Sequence, residues 1–218
     1  MIKSFRTVYT NGTGEIIEKK SRFIANVAPV LSEEAALEFI EQIKKKYPDA
    51  KHNCSALVIG YNNEIQRCSD DGEPSKTAGR PILDVLLGEK IHNAVVVVTR
   101  YFGGTLLGTG GLVRAYQSAA KEGLNQSTII ENFYGRKVQV ITDYNGIGKI
   151  QYLISQLGIT VLQSDYTDIV LLTLLIPNVI YQEFCMKTVE TTNGKAQISE
   201  GREVYFANIS GKVEIFNI

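Results

Sequence analysis

The chain has 218 residues, of which 44% are hydrophobic, and it carries 23 basic and 23 acidic side chains. This length and composition allow one large core or two small ones, and we expect two domains. The balanced charge excludes a chain-wide electrostatic attraction to nucleic acid or an anionic membrane, so either partner would need a local patch. The first residues lack the apolar core of a signal peptide, and no apolar run approaches the roughly 20 residues that cross a bilayer. We therefore expect a cytoplasmic protein with no membrane partner.

The first half of the chain predicts alternating strands and helices. Residues 15–30 form a strand pair joined by a basic turn, and strands follow at 52–59 and 94–99. In the strand at 94–99 polar and apolar residues do not alternate, so we expect both of its faces to be buried. A polar loop over 60–80 leads to a short helix at 82–87, and another helix fades near Asn125. The helix that Ser32 can cap has one apolar stripe, formed by Ala36, Leu37, Ile40, Ile43 and Tyr47.

The second half of the chain has the element order β-α-β-β-α-β, which is typical of a ferredoxin-like domain. Its parts are a strand at 137–142, a helix over 145–157, a hairpin of 159–165 with 169–176, a helix after Pro177 and a strand within 195–206. Turn-forming and polar residues over 126–134 indicate a linker. We therefore place the domains at 1–132 and 133–218.

Two glycine-rich segments, residues 69–81 and 100–114, carry most of the functional information. The second lies between a strand and a helix, and its glycines would let an anion reach the free N–H groups of the helix N-terminus. Arg100 and Arg114 at its two ends favour anion binding, with phosphate as the natural ligand. The alternative is that the glycines only shape the turn. The segment does not fit the phosphate loop of the nucleotide-binding proteins, because Thr109 and Gly110 occupy the Lys-Ser/Thr positions.

The acidic residues of the first segment have three interpretations. Asp70, Asp71 and Glu73 could chelate a hard cation, cap a local turn, or pair with Arg80, Arg100 or Arg114. We favour the turn and expect no metal, because no further ligand set is apparent. Zinc is also not expected, since His52, Cys54 and Cys68 do not complete four ligands by spacing. Three cysteines without C-x-x-C spacing indicate reduced thiols and no disulfide.

Several stretches resemble the IMPACT/YigZ family: S-R-F-I-A at 21–25, D-A-K-H-N-C at 49–54, and the two glycine-rich segments with their flanks at 69–83 and 96–116. The resemblance implies two α/β-sandwich domains in an α+β fold. The N-terminal one is similar to domain IV of elongation factor G and to the GHMP kinases, with a left-handed β-α-β crossover. The C-terminal one is similar to domain V of elongation factor G. Lys76 departs from the family pattern, in which glycine is expected.

The resemblance also implies a role in translation. Eukaryotic members regulate translation by interfering with a starvation-responsive kinase that phosphorylates an initiation factor, and the likeness to a translocation factor suggests ribosome or RNA contact. Our leading hypothesis is a non-enzymatic factor that binds RNA, the ribosome or a translation regulator, with no cofactor and no DNA specificity. The candidate binding residues are Asp70, Asp71, Glu73, Arg80, Arg100, Tyr101, Phe102, Gly103, Gly104, Gly108, Gly110, Gly111 and Arg114. The alternatives are a phosphate-substrate enzyme with its cradle at 103–111 and with Asp70 or Asp71 as base, and a purely structural role of the segments.

Overall fold

The computed structural model describes residues 3–199 and 201–216. The chain is an α+β protein that divides into two compact units, Phe5–Glu131 and Asn132–Ile218 with Met1–Ser4. None of the helices in the described residues is long and apolar enough to cross a membrane.

The N-terminal unit has a five-stranded sheet between two helical layers. Its elements are β1 (Ser4–Thr10), β2 (Gly12–Glu18), β3 (Ser21–Pro29), α1 (Glu33–Lys46), β4 (His52–Ile59), β5 (Ile65–Ser69), α2 (Gly79–Gly88), β6 (Ile91–His92), β7 (Ala94–Tyr101) and α3 (Gly108–Asn125). The sheet order is β2-β3-β7-β4-β5, with antiparallel neighbours. Helices α2 and α3 pack on one face and α1 on the other.

The central strand β7 confirms the prediction made from its composition. Val95 to Val98 are fully buried, because alternate valines face the α2–α3 layer and the α1 layer. Strands β3 and β4 lie on either side of β7 and both run antiparallel to it, so α1 connects two parallel strands. The left hand predicted for this crossover stays a prediction.

Helix α1 follows its sequence signals with one exception. The Ser32 hydroxyl accepts a hydrogen bond from the N–H of Ala35 at 3.2 Å, and Ala36, Ile40 and Ile43 are buried. Leu37, which we placed on the apolar stripe, is 54% exposed. It lies next to the buried residues along the helix, at the edge of the face that packs on the sheet.

Two predictions of irregular structure were wrong. The polar loop over 60–80 contains strand β5, whose residues are mostly exposed because it is the edge strand of the sheet. The predicted linker at 126–134 lies mostly in strand β8 (Thr128–Thr142), which is 15 residues long. Its β-branched and aromatic residues favour a strand, and they outweigh the turn-forming asparagine and glycine.

The C-terminal unit confirms the ferredoxin-like element order. It contains most of β8, followed by α4 (Ile147–Leu157), β9 (Thr160–Tyr166), β10 (Val170–Pro177), α5 (Asn178–Thr192), β11 (Gln197–Ile198), β12 (Arg202–Ile209) and β13 (Lys212–Phe216). The antiparallel order β11-β8-β10-β9 is the arrangement that this element order gives, and α4 and α5 cover one face. Strand β12 also pairs with β8. It pairs on its other side with β13, a strand that the sequence did not predict.

Candidate functional site

The two glycine-rich segments meet at one end of the five-stranded sheet. At this end β3 begins, β7 ends and β4 begins, so that Arg22 is paired with Tyr101, and His52 with Arg100. Glu73 of the first segment forms an ion pair with Arg100 of the second. The two segments are therefore adjacent in space.

A buried polar cluster joins the segments. Arg100 Nη1 donates to Glu73 Oε1 at 2.6 Å, and the two side chains are only 8% and 3% exposed. The Tyr116 hydroxyl of α3 donates to the same carboxylate oxygen at 2.8 Å. The Arg100 guanidinium also lies over the rings of Phe23 and Phe102, at 5.5 and 5.7 Å. We call Arg100, Glu73 and Tyr116 the buried cluster; its bonds brace both segments against the sheet and α3.

The thiol of Cys54 borders this cluster. Its Sγ lies 2.9 Å from the carbonyl oxygen of Asp70 and 3.3 Å from the Tyr116 hydroxyl. Burial raises the pKa of Cys54 to about 12, and it also raises the pKa of Tyr116. Both groups therefore stay protonated at neutral pH, and the geometry does not support Cys54 as a nucleophile.

The carboxylates of Asp70 and Asp71 are directed at backbone N–H groups. Asp70 accepts from Ala78 and Gly79 at 3.0 and 2.8 Å and from Lys76 at 2.7 Å, so it caps the start of α2. Asp71 accepts from the N–H of Asn53 at 2.7 Å. This arrangement matches the turn interpretation of the acidic residues.

Lys76 adopts a left-handed backbone with φ of 63°. Glycine reaches this conformation without a steric penalty, which gives a physical reason for the glycine of the family pattern. In this chain the lysine places an exposed cation on the first segment.

The residues considered for zinc make other contacts. His52 Nδ1 lies 2.9 Å from the carbonyl oxygen of Asp71, Cys54 is buried, and Cys68 is exposed on edge strand β5. Among residues 3–199 and 201–216, no group of three or more His, Cys, Asp or Glu side chains could hold a metal ion. The expectation of a zinc-free protein awaits elemental analysis.

The second segment is held by contacts at Gly103, and the residues that follow it are exposed. The N–H of Gly103 donates to the Ser21 hydroxyl at 3.1 Å, and a Cβ here would come within 2.0 Å of the Lys20 backbone. Gly104 and Gly108 have left-handed φ angles of 86° and 70°, and a Cβ at either would meet nothing within 4 Å. Helix α3 begins at the exposed Gly108, and its N-cap residue makes no side-chain hydrogen bond to the first turn.

The candidate binding residues fall into two groups. Asp70, Asp71, Glu73 and Arg100 are committed to internal bonds. Phe102 is 58% exposed, and Gly104, Gly108, Gly110 and Arg114 are also exposed. Arg80 is exposed but pairs with Asp84 at 2.8 Å, and Tyr101 donates to Asp49 at 2.8 Å. Gly111, half-buried, lines a groove of about 250 Å³ together with Lys19, Leu107 and Arg114.

Sequence reasoning missed the groups that hold the segments in place. Tyr116 was not singled out as a site residue, although a buried tyrosine hydroxyl needs a partner. The Ser21 hydroxyl and the turn at Lys19 and Lys20 carried no signal of their contact with Gly103. Leu106, with 83% exposure, was not singled out either.

The fold and this site define a two-domain protein whose glycine-rich segments form one end of the N-terminal domain. The family model described as the Impact N-terminal domain matches residues 19–124, and a domain of unknown function (DUF1949) matches residues 140–195. The chain is 42% identical to the IMPACT family member YvyE of Bacillus subtilis over 94% of both chains. The chain therefore belongs to the IMPACT family.

Other relatives and a solved structure agree with this membership. The chain is 38% identical to the IMPACT family member YigZ of Escherichia coli, over 83% of this chain and 89% of that protein. Protein IMPACT of Mus musculus is 36% identical over 43% of this chain and 30% of its own length. A crystal structure described as that of a hypothetical protein is 35% identical, with a TM-score of 0.59, and covers 91% of this chain and 97% of its own.

Proposed function

We propose that this protein regulates translation as a binding factor and that the exposed part of the second glycine-rich segment is its contact surface. Membership of the IMPACT family and the translational role that the family resemblance implies support the first half of the proposal. The partner is the ribosome with its RNA or a translation-regulatory protein, and the role requires a cytoplasmic location without a membrane or DNA partner.

The proposal rests on one observation: some residues of the site hold the two segments in place, while large apolar residues beside them stay exposed. The buried cluster and the Gly103–Ser21 bond fix the ends of the segments, while Phe102 and Leu106 stay 58% and 83% exposed. Two large apolar side chains on a fixed, glycine-rich loop are poorly explained by folding, because burial would stabilise them more. They are well placed to contact a partner.

The enzymatic alternative loses support from the same geometry. A phosphate-substrate enzyme would need Asp70 or Asp71 as base or metal ligand, and both carboxylates accept hydrogen bonds from backbone N–H groups. We therefore do not advance it.

The test is affinity capture from native lysate, with and without nuclease, followed by identification of ribosomal proteins and translation factors. The variant F102S/L106S should lose these partners. The matched control is L31S/L37S, which removes two leucines of the same domain with 82% and 54% exposure. Equal recovery of translation components by wild type and F102S/L106S would exclude the loop as the contact surface, and recovery of none by wild type would refute the function.

A further inference from the structure

We infer that the end of the N-terminal domain bearing the glycine-rich segments binds single-stranded RNA through a basic edge that surrounds them. This inference rests on the proposed function and names the chemical class of one partner. The basic edge consists of Lys19, Lys20, Lys46, Lys51, Lys76 and Arg114, all of which are exposed.

Backbone and side-chain contacts place these cations around the same end of the sheet. The Lys19–Lys20 turn packs on Gly103, and Lys19 shares a groove with Arg114. Lys51 precedes His52, whose ring contacts Gly72 and the Asp71 carbonyl, so Lys51 lies beside the first segment, which carries Lys76. Lys46 lies over the Tyr47 ring at 5.2 Å and donates to Asn26 Oδ1 at 3.4 Å, which places it at the margin of this edge.

At this end of the sheet the six cations are exposed, whereas most carboxylates accept hydrogen bonds within the domain. None of the six cations forms an ion pair with another described residue. The carboxylates of Asp49, Asp70 and Asp71 instead accept hydrogen bonds from Tyr101 or from backbone N–H groups, and Glu73 pairs internally with Arg100. Glu18, which lines the groove of Lys19 and Arg114, and Asp49 are the exposed carboxylates beside this edge, and the six cations outnumber them, so this end presents a net positive charge. Such a surface attracts a polyanion.

The shape and chemistry of the second segment favour RNA over an acidic protein. The exposed Phe102 ring offers a base-stacking surface between cations, as single-strand binding proteins do. Gly110 lies in the first turn of α3, where a Cβ would meet only the Arg114 guanidinium, at 3.6 Å. Packing within the domain therefore does not require glycine there, whereas close approach of a phosphate to the uncapped helix N-terminus would.

The test measures binding of a labelled oligouridylate of about 12 nucleotides by fluorescence anisotropy, in about 50 to 200 mM salt. Wild type should bind with an affinity that falls steeply with salt. The double variant K20Q/K51Q should weaken binding and reduce the slope of log K against log salt by about 1.4, since each lost phosphate contact contributes about 0.7. Phe102→Ala should weaken binding while leaving this slope unchanged.

The matched control is K90Q/K121Q, which removes two exposed lysines of the same domain. Lys20 and Lys90 share a left-handed backbone, with φ of 67° and 55°, so both pairs carry the same conformational cost. Lys121 lies near the end of α3 remote from Gly108. The control should bind like wild type, and an equal loss in both pairs would overturn the inference.

Two further outcomes separate the inference from the proposed function. Absence of oligouridylate binding at low salt, or preferential binding of polyglutamate, would overturn the RNA inference. The proposed function would survive either result if translation components were still captured after nuclease treatment. Loss of capture by F102S/L106S with unchanged oligouridylate binding would instead show that the edge and the loop serve different partners, which also overturns the inference.

Discussion

At the residue scale, the ion pair of Arg100 and Glu73 is the most consequential contact of the N-terminal domain. Both side chains are almost fully buried, and the pair joins residues that lie 27 positions apart in the chain. A buried pair of this kind adds little relative to an apolar replacement, but loss of one partner leaves an uncompensated charge.

Glu73→Gln should therefore lower the free energy of unfolding by about 3–5 kcal/mol, measured by urea denaturation. Asp84→Asn is the control, because it breaks the exposed ion pair with Arg80 at 2.8 Å and should cost no more than about 1 kcal/mol. Equal effects of the two substitutions would contradict the structural role of the buried cluster.

The environment of Cys54 predicts its reactivity. Cys54 is buried and its pKa is raised to about 12, whereas Cys68 is exposed. A disulfide reagent at neutral pH should modify Cys68 rapidly and Cys54 only on unfolding, which mass spectrometry of timed samples will show. Rapid native-state labelling of Cys54 would mean that the buried cluster opens readily.

The same pKa predicts how stability depends on pH. In the unfolded chain the thiol loses its proton near its ordinary pKa of 9.0, while the folded protein keeps it to about 12. The folded state thus binds more protons in this interval, so its stability should fall as pH rises from about 9. The fall should be smaller in Cys54→Ala, and urea denaturation at pH 7 and pH 10 will measure the difference.

At the element scale, the second glycine-rich segment contains glycines with different roles. Gly103 is required by its contact with the Lys20 backbone, while a Cβ at Gly110 would meet only the Arg114 guanidinium, in ordinary van der Waals contact at 3.6 Å. The sequence alone could not separate the two roles, because the neighbour of Gly103 lies more than 80 residues away along the chain.

Gly103→Ala should destabilise the domain by about 1–3 kcal/mol, since the added carbon overlaps backbone atoms that cannot move aside. Gly110→Ala should leave the stability unchanged or raise it by about 0.5 kcal/mol, yet it should weaken capture of translation components. Thermal melts and the capture assay measure both effects. A stable Gly110→Ala variant with undiminished capture would remove this helix end from the contact surface.

The success of the sequence predictions also depended on the type of element. Helix α1 and strand β7 were predictable because capping, apolar spacing and an unbroken valine run act locally. Edge strand β5 was missed because it is short and mostly exposed, and the part of β8 before residue 137 was missed because its assignment depends on pairing with the distant strand β12. Within the site, the adjacency of the segments was predictable from the common end of the sheet. The inward direction of Asp70, Asp71 and Glu73 depends on the positions of Asn53, Tyr116 and α2.

At the scale of the whole molecule, the division of the chain falls after Glu131, inside β8. The chain therefore passes from one unit to the other within a strand and not within a loop. An insertion at this point must interrupt that strand.

Four glycine and serine residues inserted after Glu131 should therefore lower the melting temperature by several degrees. The same insertion between Asn62 and Asn63, in the turn before β5, should be tolerated much better. Differential scanning calorimetry of both variants provides the measurement. Similar melting temperatures would show that the pairing of β8 near Glu131 contributes little to stability.

The buried cluster also sets rules for engineering the protein. Arg100, Glu73 and Tyr116 fasten the site from beneath, and Gly103 fixes the point from which the exposed loop departs. The exposed stretch from Gly104 to Leu106 can therefore be exchanged for that of another family member, while Leu107, which packs on the core, is kept. A panel of such chimeras would make the choice of partner a selectable property of three residues on a constant scaffold.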